Sequence, residues 1–70
     1  MPDICVQIGR RIRSRRKANK LSQKQLAWMA EIAEDSLSKL ENGKREAGFY
    51  TLGRIVKALG VTMAEFFEGM

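Results

Sequence analysis

The sequence contains no histidine and a single cysteine, Cys5, among its 70 residues. One cysteine excludes an internal disulfide bond, and without histidine the chain cannot build a zinc site from cysteine and histidine ligands. No metal or cofactor is therefore expected. The scarcity of cysteine fits a reducing compartment, and we predict a cytoplasmic protein.

Long apolar runs and catalytic motifs are also missing. No stretch is apolar and long enough to cross a membrane, and the basic N-terminal third precedes no signal-peptide core. The chain has no phosphate-cradling glycine motif and little room for a substrate pocket. These absences argue against an enzyme and favour one small domain spanning residues 1–70, with its core at about 6–68.

Positive charge is concentrated near the N-terminus. Residues 1–28 hold eight Lys/Arg and one acid, whereas residues 29–70 hold five Lys/Arg and seven acids. Such a cluster is either a solvated helix face or a surface for a polyanion, whose condensed counterions lysine and arginine displace. Composition alone leaves both interpretations open.

The polar and apolar pattern predicts an all-α chain, because no segment alternates long enough for a strand. Five helices are expected, over about residues 6–18, from residue 22 onward, over 34–40 and 49–59, and after residue 62. The second and fifth begin with capping boxes, Ser22 with Gln25 and Thr62 with Glu65.

Residues 21–42 carry the functional signal. They read LSQKQLAWMAEIAEDSLSKLEN, which predicts two short helices joined by a tight turn. Closely crossing helices need a small residue at their contact, and Ala27 provides one. The apolar side chains that can bury the crossing are Leu26, Ala30, Ile32, Leu37 and Leu40. These spacings fit a DNA-binding helix-turn-helix, and they also fit an ordinary helical hairpin.

Several linked motifs narrow that choice. With them the chain resembles the Xre-type helix-turn-helix regulators, the group that includes the Cro and repressor domains of lambdoid phages. The motifs are IGRRIRSRRK at 8–17, LSQKQLA at 21–27, LSKLENGKR at 37–45, TLGRIVKALGV at 51–61 and EFF at 65–67. The resemblance implies a five-helix, lambda-repressor-like domain, sequence-specific DNA binding, a transcriptional role and a homodimer.

Three positions depart from the family pattern. Glu31 stands at the turn where the family usually has glycine, and a left-handed non-glycine residue costs roughly 1 kcal/mol. Ala33 replaces the usual Ser or Thr cap of the recognition helix, a loss typically of about 1 kcal/mol. Ala47 replaces a common proline. None of these departures forbids the fold, but they predict a turn that can be shifted by one residue.

The resemblance implies that bases are read from the third helix and the start of the second. The residues are Gln23, Glu34, Asp35, Ser36, Ser38 and Lys39. Lys39 can donate to guanine and Gln23 can pair with adenine. The acids Glu34 and Asp35 either accept from the cytosine amino group or stabilise the helix start through its dipole. Both interpretations stay open.

Phosphate contacts are expected on both flanks of the third helix. Ser22 and the free amides beside it form an anion site at the start of the second helix. The resemblance implies that Asn42, Lys44 and Arg45 meet the backbone on the other flank. Arg10, Arg13 and Lys20 can add to this clamp.

The sequence and its resemblance to the family also predict an ion pair, an outward tryptophan and a set of candidates for a dimer interface. By resemblance, Arg16 and Glu41 form a partly buried ion pair that positions the first helix. Trp28 is expected to point outward, as a partly covered surface aromatic or as a contact for sugar-phosphate or a protein. The candidates for a dimer interface, some of which must instead lie in the core, are Phe49, Tyr50, Phe66, Phe67 and Met70.

The function predicted from these observations is a transcriptional regulator, most simply a repressor. A homodimer would bind a palindromic operator in double-stranded DNA, with half-sites one helical turn, about 34 Å, apart. The alternative is an antitoxin-like or other protein-interaction module, in which the acidic surface of the third helix binds a protein. Dominance of Lys39, Lys44 and Arg45 in the charge of that surface would favour DNA.

Overall fold

Five helices make up the computed structural model, which describes residues 3–70. In chain order they are α1 (Ile4–Ala18), α2 (Gln23–Ala30), α3 (Glu34–Glu41), α4 (Phe49–Ala58) and α5 (Met63–Phe67). No strand occurs in this range. The all-α prediction and the number of helices are confirmed.

The first helix begins two residues earlier than its apolar pattern predicts. The Asp3 side chain accepts a hydrogen bond from the Cys5 amide at 2.8 Å and so provides the N-cap. The start at Val6 was wrong because apolar periodicity ignored this acidic cap, which satisfies one of the unpaired amides of the first turn. The remaining helix boundaries differ from the predicted ones by one residue at most.

The core lies between the helices, with α3 packed against α1 and α2, and with α4 packed against α2 and α5. Its largest fully buried side chains are Ile12, Leu26, Leu37, Ile55 and Phe66. The prediction that Phe66 belongs to a dimer interface is therefore wrong. Phe66 is 0% exposed, because α5 packs against α4 and Phe66 lies within the core cluster.

One glycine sets the distance between α1 and α3. A Cβ built on Gly9 would lie 2.7 Å from the carbonyl oxygen of Glu41 and would also clash with that of Leu40. Any larger residue would push the two helices apart. The close approach brings α1 side chains within reach of the buried end of α3.

Candidate nucleic-acid interface

Helix α3 lies on the surface with one polar face outward. Leu37 and Leu40 are buried beneath it, whereas Glu34, Asp35 and Lys39 are exposed. Ser36 and Ser38 are half-buried at its edges. All five predicted base-reading residues of this helix therefore lie on or beside an accessible face.

Two of the exposed charges on α3 pair with each other. Lys39 Nζ lies 3.2 Å from Asp35 Oδ2, one helical turn away. Both side chains remain more than half exposed, so solvent screens the pair and either partner can exchange it for another. The pair offsets the acidity of the helix start and leaves Glu34 as the single uncompensated acid of that face.

The start of α3 has no side-chain cap. Ala33 occupies the N-cap position and makes no side-chain hydrogen bond, while Glu34 and Asp35 fall in the first turn. Acids at this position are favourable through the helix dipole by roughly 0.3–1 kcal/mol. The preceding turn passes through Glu31 in the left-handed conformation, with φ 59° and ψ 41°.

The end of α3 is held by a buried carboxylate. Glu41 is 3% exposed and accepts from Arg16 twice, Nε to Oε2 at 2.7 Å and Nη2 to Oε1 at 3.0 Å. Arg13 Nε and Gln23 Nε2 also donate to Glu41 Oε1, at 3.3 Å and 3.1 Å. Arg16 donates in addition to the carbonyl oxygen of Leu21 at 2.8 Å. One carboxylate thus ties α1, α2 and α3 together.

Two opposing effects act on the Glu41 carboxyl. Burial by itself raises the pKa of Glu41, since it penalises the charged form. Hydrogen bonds from Arg16, Gln23 and Arg13 and the positive charge of Arg16 outweigh it, so the pKa lies below its ordinary value. Glu41 is therefore an anion in the folded protein at neutral pH.

Gln23 is less free than a base-reading residue of the surface would be. It is half-buried, and one of its two amide N–H groups is committed to Glu41. Its carbonyl oxygen and second N–H are left for an external partner. The hydrogen bond to Glu41 therefore orients the amide, a restraint that sequence reasoning missed because 18 residues separate the pair.

The segment after α3 is joined to α1. Arg13 Nη2 donates to Asn42 Oδ1 at 2.9 Å, and Asn42 Nδ2 donates to the carbonyl oxygen of Ser38 at 2.9 Å. Arg45 Nη1 reaches Ser36 Oγ at 3.1 Å, and Lys44 is exposed beside it. The predicted phosphate-binding residues on this flank lie next to α3 and near one another in the chain.

The other flank is the start of α2. Ser22 Oγ accepts from the Gln25 amide at 3.0 Å, and Gln25 Oε1 accepts from the Ser22 amide at 2.8 Å. The amides of Gln23 and Lys24 have no partner inside the helix and can meet an anion. Lys20, exposed two residues before the cap, adds positive charge there.

The arginines of α1 divide into two groups. Arg11 Nη1 donates to the carbonyl oxygen of Phe66 at 3.0 Å, and Arg15 Nη2 to that of Glu65 at 3.1 Å. These two arginines hold the end of α5 and are structural. Arg10 is exposed and lies three residues from Arg13, on the neighbouring stripe of α1. The sequence pattern could not separate the two groups, because it does not reveal where α5 lies.

Cations and acids are close to balanced on and around α3. The exposed acids are Glu31, Glu34, Asp35 and Glu46, and the cations are Lys39, Lys44, Arg45 and Arg13, of which Arg13 also pairs with Glu41. The cations Lys44 and Arg45 follow the end of α3, whereas three of the acids lie at or before its first turn. Among residues 3–70 no helix is long and apolar enough to span a membrane, and no three potential metal ligands come together.

Comparison with known sequences identifies related proteins. A family model described as helix-turn-helix matches residues 12–66. The control protein C.MunI of Mycoplasma sp. is 34% identical over 69 residues, which cover 97% of this chain and 93% of that protein.

Solved structures share the fold over most of the chain. The restriction-modification controller protein C.AhdI from Aeromonas hydrophila is similar with a TM-score of 0.87 and 28% identity, over 90% of this chain and 96% of that one. The clp gene regulator ClgR from C. glutamicum has a TM-score of 0.89 and 28% identity, over 93% of this chain and 83% of that one.

Proposed function

The chain belongs to the Xre-type, Cro/repressor-like helix-turn-helix family of DNA-binding transcriptional regulators, and we propose that it represses transcription by binding a palindromic operator as a homodimer. It acts by binding and not by catalysis. We propose a cytoplasmic location, because the double-stranded DNA of a prokaryote or phage that it would bind is in the cytoplasm.

The observation that carries the proposal is the exposed polar face of α3 with cations on both flanks. Leu37 and Leu40 anchor the helix from below, so its outer side chains can enter the major groove without unfolding any contact of the core. Lys20 near the start of α2 and Lys44 and Arg45 after α3 stand where phosphates on the two sides of a groove would lie, which favours DNA over a protein partner for this face.

Base reading is assigned to the outward residues of α3 together with Gln23. Lys39 can leave Asp35 and donate to guanine, and the oriented amide of Gln23 can pair with adenine. Glu34 has no partner among the side chains described, which supports a contact to the cytosine amino group. Asp35, Ser36 and Ser38 are on α3 as well, and we assign them contacts to the neighbouring bases.

Phosphates are held from both flanks. On one side are Ser22, Lys20 and the free amides at the start of α2. On the other side are Asn42, Lys44, Arg45 and Arg13, with Arg10 further along α1. If a dimer engages about six phosphates, the logarithm of the association constant falls with the logarithm of salt concentration with a slope near −5.

The dimer is proposed to form at the end of the chain. Phe67 is half-buried against the ring of Phe66, with centroids 5.1 Å apart, and Met70 is 44% exposed. Phe49 and Tyr50 lie at the start of α4 and are more exposed, at 89% and 75%. Sedimentation of wild-type protein and of Met70→Asp over a range of concentrations tests whether the dimer forms through the C-terminal residues or through the start of α4.

The biological setting is proposed from the relatives. C.MunI is named a control protein and C.AhdI a restriction-modification controller, and both match nearly their whole length. The match over nearly the whole of this chain and of both proteins fits the same use, in which protein concentration and dimerisation set the response. The genes proposed as targets are therefore those of a restriction–modification system.

Selection of random duplex DNA at two salt concentrations tests the proposal directly. We expect an inverted repeat with cytosine opposite Glu34, and an affinity that falls with salt as stated above. Lys39→Ala should relax the base preference at one position of the operator. Lys44→Ala should weaken binding to all DNA sequences by the same factor. Uniform, salt-labile retention of every sequence would refute operator recognition and leave a protein partner for α3 as the better interpretation.

A further inference from the structure

A second exposed surface lies away from α3, between the C-terminal half of α2 and α4. We call it the α2–α4 surface and define it by Trp28, Met29, Tyr50, Arg54 and Lys57, which line one groove. Trp28 is 81% exposed, Tyr50 75% and Met29 45%. Three large side chains that burial would favour are therefore exposed together.

Neither the core nor the proposed DNA contacts explain Trp28. The inward stripe of α2 is formed by Leu26, Ala27 and Ala30, all at most 2% exposed, and Trp28 lies on the opposite side of the helix. It also follows Gln23 by five residues, which places it about 7 Å along the axis from the end of α2 that faces phosphate. The side chain is free for another partner.

Part of the α2–α4 surface is already ordered. The Arg54 guanidinium lies 4.4 Å from the centroid of the Tyr50 ring, and its Nη2 donates to the Tyr50 hydroxyl at 3.2 Å. A fixed aromatic ring with a cation above it loses little side-chain entropy when a ligand binds. Aromatic residues and arginine are also the side chains that dominate protein interfaces energetically.

The charges around the surface decide what can cover it. Lys24 shares the outward face of α2 with Trp28, and Arg54 and Lys57 border the groove from α4, against one acid, Glu31. Three cations and one acid favour an anionic partner. A second copy placed face to face would bring these cations together, and like charges facing each other across an interface disfavour binding. Duplex phosphate would satisfy the cations but would leave Trp28 and Met29 without apolar contacts.

We propose that the α2–α4 surface binds an acidic amphipathic segment of a second protein. Apolar side chains of that segment pack on Trp28 and Met29, and its carboxylates lie beside Arg54 and Lys57. This interaction goes beyond DNA binding. None of the residues that line the groove is assigned to bases or phosphates, so one protein molecule can hold operator and partner at once. The regulator would then recruit, or be controlled by, that partner.

A displayed library of random peptides of about 15 residues, long enough for some four helical turns, tests this proposal. The immobilised full chain should enrich peptides with an excess of Asp and Glu and with apolar residues three and four positions apart. Binding of one enriched synthetic peptide should shift the emission of Trp28, which is the only tryptophan of the chain and so reports this surface alone.

Variants separate this surface from the rest of the molecule. Trp28→Ala, and Arg54→Glu combined with Lys57→Glu, should each weaken the enriched peptide by at least about tenfold. Lys17→Glu, a matched charge reversal of an exposed residue on α1, should leave peptide affinity unchanged. Operator binding of Trp28→Ala should equal that of wild type, which distinguishes failure here from failure of the DNA-binding proposal.

Three results would overturn the proposal. Enriched peptides without acid excess, or with affinity independent of Trp28, would show that the surface has no such specificity. A Trp28 emission that changes on dilution of the protein alone would assign the surface to a second copy. Quenching of Trp28 by operator DNA, with loss of peptide binding, would assign it to the nucleic acid.

Discussion

Helices α2 and α3 have the same length and lie side by side, yet they are secured at opposite ends. Helix α2 is fastened at its start, where Ser22 and Gln25 complete a capping box, and it ends in the strained residue Glu31. Helix α3 starts without a side-chain cap at Ala33 and is fastened at its end, where Glu41 is buried. Helix α2 is thus stabilised at its N-terminus, and helix α3 at its C-terminus.

This difference has a functional meaning. The start of α2 is both capped and directed at the proposed phosphate site, so the same polar groups serve fold and ligand. The outward residues of α3 take no part in the core, because the helix is held by the buried residues Leu37, Leu40 and Glu41. A recognition helix built in this way can change its outward side chains, and hence its operator, at little cost in stability.

The largest effect is expected from removing the anchor of α3. Glu41→Ala leaves Arg16 buried without its partner, which costs about 3–5 kcal/mol, comparable with the whole net stability of a core this small. We therefore expect a largely unfolded chain in urea titration and circular dichroism.

The exposed acid Glu46 provides the control for that variant. Glu46→Ala should change the free energy of unfolding by no more than about 0.5 kcal/mol. A Glu41→Ala protein that unfolds at the wild-type urea concentration would refute the anchoring role.

Acid should remove the same anchor reversibly. The pKa of Glu41 is lower in the folded chain than its ordinary value of 4.5, so the stabilisation is complete above pH 4.5 and is lost as pH falls through the lower, folded value. We expect the melting temperature, measured at several pH values between 7 and 3, to decrease once the pH is below 4.5.

The Glu65 carboxyl also has a lowered pKa, chiefly because the Thr62 backbone donates to it, and contributes in the same direction. Glu41→Gln therefore isolates the anchor. Its melting temperature should depend less on pH than that of wild type over this range, and an equal dependence would count against Glu41.

The capped and uncapped starts should respond in opposite directions. Ser22→Ala should lower the free energy of unfolding by about 1 kcal/mol because the Gln25 amide loses its acceptor. Ala33→Ser should raise it by about the same amount by supplying α3 with the missing cap. Urea titrations of both variants against wild type measure the contrast, and a destabilised Ala33→Ser would mean that the start of α3 cannot accommodate a cap.

The turn between the two helices should relax when glycine replaces Glu31. The residue has a φ of 59°, and a side chain in that conformation costs about 1 kcal/mol. Glu31→Gly should therefore be stabilising by roughly that amount in thermal unfolding. Glu31→Gln keeps the strain and removes only the charge, so an equal gain in both variants would trace the effect to charge.

The smallest effect distinguishes the two interpretations of Glu34. Glu34→Gln should lower stability by roughly 0.3–1 kcal/mol through loss of the favourable helix-dipole interaction. If Glu34 also reads cytosine, operator selection with the variant should lose that base. Retention of the cytosine together with tighter DNA binding would leave the dipole as its only role.

Much of the fold followed from local signals along the chain. The capping boxes at Ser22 and Thr62 and the 3, 4, 7 spacing of Leu52, Ile55, Val56 and Leu59 are local, and they placed the helices within two residues. The same reasoning missed the cap at Asp3 because that residue precedes the apolar pattern. It also left Phe66 among the surface candidates, since five late apolar residues do not reveal which one turns inward.

The site was less accessible to such reasoning. The family resemblance paired Arg16 with Glu41, and the two side chains are joined by two hydrogen bonds. The additional donors Gln23 and Arg13, and the bonds from Arg11 and Arg15 to α5, join residues distant in the chain. No local pattern encodes which of several arginines meets which acceptor.

The amino-acid order by itself determined where helices start and stop and which face of each is apolar, because caps and periodicity act over three or four residues. Only the tertiary structure decided which charged side chains are buried, which form hydrogen bonds to other helices and which remain exposed to solvent. Those outcomes depend on how closely α1 approaches α3 at Gly9 and on where α5 packs. Both are properties of the assembled helices, since the free energy of a charge depends on what surrounds it in space.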